Sequence, residues 1–235
     1  MPPENVNPED SLEAGEVSVD RGLRRQTSSK ELLGLWFGVN VLGFAIATPL
    51  SFLTTLSYQY FEALYIAGLI IGTVVGPLQA WVIQRQLPRL RLWQWTLANI
   101  VGSYIGSWVG LFAVGLLTFM AYSINNAFQP EGMVGVVLSI GSYGLVIGMV
   151  LGVAQIFSLP SQAQNVRYWW TANAVGRALG WLSACLLGWI LSNAIDSFLN
   201  ARISWCVLLG AVGGAVYAGV TVKALFNLNP NQSTP

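Results

Sequence analysis

From Leu32 to Pro235 the chain carries only ten charged side chains in 204 residues. A soluble domain has about 25% charged residues, and a surface so poor in charge does not keep a protein of this size in water. The other eleven charges are concentrated in the first 31 positions. This distribution excludes an ordinary cytosolic enzyme, a nucleic-acid binder and a secreted disulfide scaffold. It leaves a polytopic all-α membrane protein. The net charge of +1 adds no argument for a polyanionic partner.

Residues 1–30 read as a disordered tail. Positions 1–20 hold six acids and no base, followed by Arg21, Arg24, Arg25 and Lys30. Such a segment cannot bury enough apolar area to fold alone. The remainder divides into stretches long enough to cross a bilayer core of roughly 30 Å. They are expected near 32–54, 63–83, 92–122, 134–159, 169–195 and 203–226, so that 31–228 forms a six-helix transmembrane domain and 229–235 a short tail. The paired Arg24-Arg25 ahead of an apolar run invites a leader-peptide reading. The internal similarity described below argues that span one is retained.

Nine of the eleven bases fall on one side of this six-span arrangement, and only Arg202 falls on the other. The eleventh, Arg177, lies inside a span. Both termini are therefore expected in the cytoplasm. Trp81, Trp93 and Trp169 read as anchors at the inner edge, and Tyr58, Tyr60, Tyr122 and Trp205 as anchors at the outer edge.

Two motifs alternate along the chain. Odd spans carry Trp-x-x-x-Asn-x-x-Gly: Trp36, Asn40 and Gly43; Trp95, Asn99 and Gly102; Trp169, Asn173 and Gly176. Even spans carry three small residues at four-residue spacing and then Gln: Gly68, Gly72, Gly76 and Gln79; Gly144, Gly148, Gly152 and Gln155. The last even span has Cys206, Gly210 and Gly214, with Tyr217 in the Gln position. Two different motifs, each occurring three times in strict alternation, point to a two-helix unit repeated over about 31–89, 90–162 and 163–228. Units that each cross twice share one orientation, so the expected architecture is a bundle with a pseudo-threefold axis along the membrane normal. Small residues at i and i+4 let two backbones approach closely, which is how helices associate where lipid is as apolar as leucine. The glycine rows are therefore expected to be buried, as a glycine zipper.

The amides of the two motifs fall at one depth, near the cytoplasmic side. Asn40, Asn99, Asn173, Gln79 and Gln155, with Tyr217, form a candidate polar layer, and Asn99 is expected to approach Gln79. Three roles fit such a layer: an interlock that sets helix register, a polar vestibule for water or a solute, and a ligand site for a pigment or lipid head group. Arg177, four residues after Asn173, has Phe44 and Ser103 at its matching positions. Snorkelling, anchoring of a lipid or partner, and an anion pathway are its three readings.

Catalytic chemistry has little to work with. There is no histidine, which removes imidazole relays and His-based metal or nucleophile sites. Cys185 and Cys206 sit in apolar runs and form no CxxC pair. No acid lies inside an apolar span, since Glu62, Glu131 and Asp196 fall at span ends or in loops. Catalytic residues, metal ligands and cofactors are therefore not expected, and the absent intramembrane acids speak against an ion-coupled carrier.

The run Gly72-x-x-x-Gly76-x-x-Gln79, its basic loop and Trp93-Gln94-Trp95 resemble a group of uncharacterised bacterial multi-pass membrane proteins, over most of residues 32–226. The resemblance implies the fold and a bacterial inner or internal membrane, but no activity. The plan of three two-helix units is also similar to that of mitochondrial carriers, whose proline-acid-base signature has no match in any odd span. The sequence thus points to a non-catalytic membrane protein that packs with, or helps assemble, other membrane components. Its expected partners are the lipid bilayer and other membrane proteins. The alternative is a passive channel or facilitator for a small solute through the bundle.

Overall fold

A computed structural model describes residues 28–55, 60–124, 132–191 and 199–229. The described residues form six helices: α1 (Ser29–Thr55), α2 (Tyr60–Gln86), α3 (Leu92–Ile124), α4 (Gly132–Ser158), α5 (Val166–Leu191) and α6 (Leu199–Asn227). All six are long and apolar enough to cross a membrane. The protein is an all-α multi-pass membrane protein, because helices satisfy every backbone group internally in a medium that offers no water. Pro49 in α1 and Pro77 in α2 lie within helices, as membrane helices tolerate. Most of the tail, Tyr58, Glu131 and Asp196 lie outside the described residues, as do the side chains of Tyr60, Glu62 and Tyr122.

Five of the six helices begin two to four residues before the expected spans, and at two of them the cause is visible. Helix α1 starts at Ser29, inside the expected tail, because the Ser28 hydroxyl accepts the Glu31 N–H at 3.2 Å. This is one half of a capping box. Helix α5 starts at Val166, three residues early. Asn165 precedes it with φ of 53°, and its side-chain amide donates to the Asn227 carbonyl at 3.1 Å.

The helices form a closed ring. Each packs on its neighbours in chain order, and α6 closes on α1. Two kinds of interface alternate around it. Between α2 and α3, a Cβ added at Gly72 would stand 2.5 Å from the Asn99 carbonyl oxygen. Gly148 of α4 meets the Asn173 carbonyl of α5 at the same 2.5 Å, and Gly214 of α6 meets that of Asn40 in α1, again at 2.5 Å. Here the even helix offers a glycine row on which the next odd helix rests its backbone. The remaining interfaces use odd-helix glycines: Gly43 against Val75, Gly106 against the Ile147 backbone, and Gly180 against the Gly213 carbonyl.

The basic loops tie one end of the ring together. Asn229 donates to the Gln86 carbonyl at 3.0 Å, Gln86 to that of Phe226 at 3.2 Å, and Arg89 to the Gln162 side chain at 3.1 Å. The Gln164 N–H bonds the Leu228 carbonyl, and Arg85 stands 3.6 Å from Glu31. Trp81 and Trp93 are exposed near this end, and the Arg85 guanidinium lies 4.1 Å over the Trp81 ring. This end is called the basic end below.

Candidate functional site: a polar layer between tryptophans and a buried arginine

All seven candidate residues meet in the bundle interior, and all are buried. Each Asn is held by its own helix: the side-chain amides of Asn40, Asn99 and Asn173 donate to the carbonyls of Trp36, Trp95 and Trp169 at 2.8, 2.9 and 3.0 Å. Binding the carbonyl four residues back fixes the rotamer and leaves Oδ1 facing the bundle. That oxygen then accepts from the following helix. Gln79 donates to Asn40 at 2.7 Å, Gln155 to Asn99 at 3.1 Å, and the Tyr217 hydroxyl to Asn173 at 2.6 Å. The phenol thus replaces the glutamine with the same donor role.

The expected approach of Gln79 to Asn99 is corrected by this arrangement, since the partner of Gln79 is Asn40. The reason lies in the alternating interfaces. Across α2 and α3 the backbone of Asn99 is pressed onto Gly72 and its Cβ onto Gly76, so its side-chain oxygen turns towards α4.

On the basic side of this layer lies a group that the sequence reading did not assemble. Trp36, Trp95 and Trp169 are all 0% exposed. The Trp169 ring sits 5.9 Å from that of Trp36 and 5.8 Å from that of Trp95, at 61° and 55°. Reading Trp169 as an interfacial anchor is therefore corrected: it lies at the centre of the bundle. The signal was in the motif, because a Trp four residues before each Asn shares the face of that Asn. Two indoles also join the polar layer. Trp169 Nε1 donates to Gln155 Oε1 at 3.0 Å, and Trp36 Nε1 to the Thr221 hydroxyl at 3.0 Å. Trp95 Nε1 and Gln79 Oε1, the counterparts of the Trp169–Gln155 pair, each lack a partner. Towards the basic end the interior continues with Leu32, Ile83, Leu87, Leu90, Leu225 and Leu228, all buried.

Arg177 lies one turn from Asn173 on the opposite side of the layer. It is 2% exposed and does not snorkel. Its guanidinium carbon stands 4.8 Å over the Phe44 ring and 4.9 Å over the Tyr217 ring, a cation–π arrangement. Nε and Nη2 have no hydrogen-bond partner. Ser103, at the matching position in α3, is buried with its hydroxyl unpaired as well.

No protein-family model, curated protein or solved structure matches the chain. The function therefore has to be argued from this geometry.

Proposed function

We propose that the chain is a non-catalytic integral membrane protein that packs with, or helps assemble, other membrane components. In this reading it is a bacterial inner or internal membrane protein with both termini in the cytoplasm, built from three copies of a two-helix unit about a pseudo-threefold axis. The repeat is supported by the matching donors Gln79, Gln155 and Tyr217 on Asn40, Asn99 and Asn173. The orientation is supported by the bases at one end.

The observation that carries the reading is the closed interior of the basic half. Three tryptophans with no exposed surface fill the axis, and large aliphatic side chains pack beneath them. A facilitator needs a route past that level, where the Trp169 and Trp36 indoles are held by hydrogen bonds to Gln155 and Thr221. What the protein offers other molecules is then its apolar exterior, on which Phe112, Phe119 and Phe157 are the most exposed large side chains. The amides serve as an interlock that fixes register, each interhelical pair contributing about 0.6–2 kcal/mol.

Two measurements test this. Proteoliposomes are expected to release glycerol, urea and potassium no faster than protein-free vesicles. Gentle detergent extraction from native membranes is expected to yield a complex of defined composition and stoichiometry. Saturable solute flux from the purified chain, with no such complex, would establish the facilitator instead.

A further inference from the structure

On the far side of the polar layer from the tryptophans, the ring encloses a partly open cavity of about 200 Å³. Its lining runs along α5 from Arg177 to Gly188, a length of about 16 Å at 1.5 Å per residue. Arg177 and Tyr217 line the end nearest the amides, and Phe44, Ile71, Trp181 and Leu209 contribute apolar walls. Away from Arg177 the walls are mostly apolar and suit an apolar guest. The volume exceeds the roughly 150 Å³ of an apolar cavity that takes up benzene, so it admits a short run of methylenes.

The arginine is what makes the cavity more than a packing defect. A guanidinium keeps its charge in proteins, and two of its donor nitrogens are unpaired. Among the described side chains the only carboxylate is Glu31, which pairs with Arg85 at the basic end. The rings of Phe44 and Tyr217 attract the cation but do not neutralise it. A buried charge without a counter-ion is strongly unfavourable, and a planar guanidinium suits carboxylate or phosphate oxygens.

We propose that this cavity binds a single-chain amphiphile, its anionic head, a carboxylate or phosphate, on Arg177 and its apolar tail along α5 and α6. The proposal is independent of the assembly reading, because neither the flux nor the extraction result bears on it.

A diazirine-bearing fatty acid, irradiated with the full-length protein in phosphatidylcholine vesicles and mapped by mass spectrometry, tests it. Labelling is expected on α5 and α6 within 177–188 and 209–217. A tenfold excess of laurate or dodecyl phosphate is expected to reduce it at least fivefold, whereas methyl laurate or inorganic phosphate leaves it unchanged. Equal competition by methyl laurate would overturn the role of the charge. Competition by inorganic phosphate alone would show a free-anion site and overturn the amphiphile.

Arg177→Gln is expected to lose the labelling at least fivefold while melting no lower than wild type after delipidation, and Arg177→Lys to keep part of it. A marked fall in melting temperature for Arg177→Gln would mean that the protein itself satisfies the guanidinium, against the proposal. Ala184→Leu, which narrows the cavity and leaves Arg177 in place, is expected to lose the labelling too. Unchanged labelling in that variant would place the probe elsewhere.

Discussion

At the scale of single residues, the interior is organised by side chains that each serve two partners. Asn99 donates to the Trp95 carbonyl of its own helix and accepts from Gln155 of the next. Replacing it by Leu keeps the bulk but strands the Gln155 amide, and a buried donor without an acceptor costs about 1–3 kcal/mol. Asn99→Leu is therefore expected to lower unfolding stability in detergent by that amount. Thr118→Val is the control: this exposed hydroxyl bonds only the Val114 carbonyl of its own turn, and its loss should stay within about 0.5 kcal/mol. Equal losses for the two would show that the layer does not hold the helices together.

At the scale of helices, glycines that look alike in sequence do different work. A Cβ at Gly148 would stand 2.5 Å from the Asn173 carbonyl oxygen and 2.7 Å from the Ala174 Cα. Both are backbone atoms, so the whole of α5 must move, and Gly148→Ala is expected to cost about 1–3 kcal/mol of overpacking strain. At Gly115 of α3 a Cβ would meet nothing within 4 Å. There alanine removes only backbone freedom from the unfolded chain, and Gly115→Ala should stabilise by about 0.5–1 kcal/mol. Thermal melting of the two variants in one detergent is the measurement, and opposite signs are the expected result.

At the scale of the whole molecule, the ring has a tied end and a hollow end. Hydrogen bonds among loops and helix ends cross the basic end, over an interior filled by tryptophans and leucines. The cavity occupies the opposite half. In the proposed orientation, which puts the basic end in the cytoplasm, a reporter fused after Asn126 should report the outer side, and one fused after Gln164 the inner side. The same side for both would be incompatible with six crossings. The long α3, with 33 residues, exceeds the roughly 20 needed to span, so it must tilt or protrude.

Position along the helix axes was legible from the sequence, and position around the ring was not. The cost of placing a charge or an amide in hydrocarbon acts on each residue separately, so the number of spans, their apolar stretches and the common level of Asn40, Asn99, Asn173, Gln79 and Gln155 follow from composition and a 1.5 Å rise. The small-residue faces follow likewise, because four-residue spacing places them on one side of a helix. Which faces meet depends on how all six helices rotate against one another, and only packing settles that. Packing gave Gln79 to Asn40 rather than Asn99, and brought three tryptophans from helices far apart in sequence into contact. It also turned Arg177 inward between Phe44 and Tyr217, because α6 packs on both α5 and α1 in the ring and brings the three side chains together.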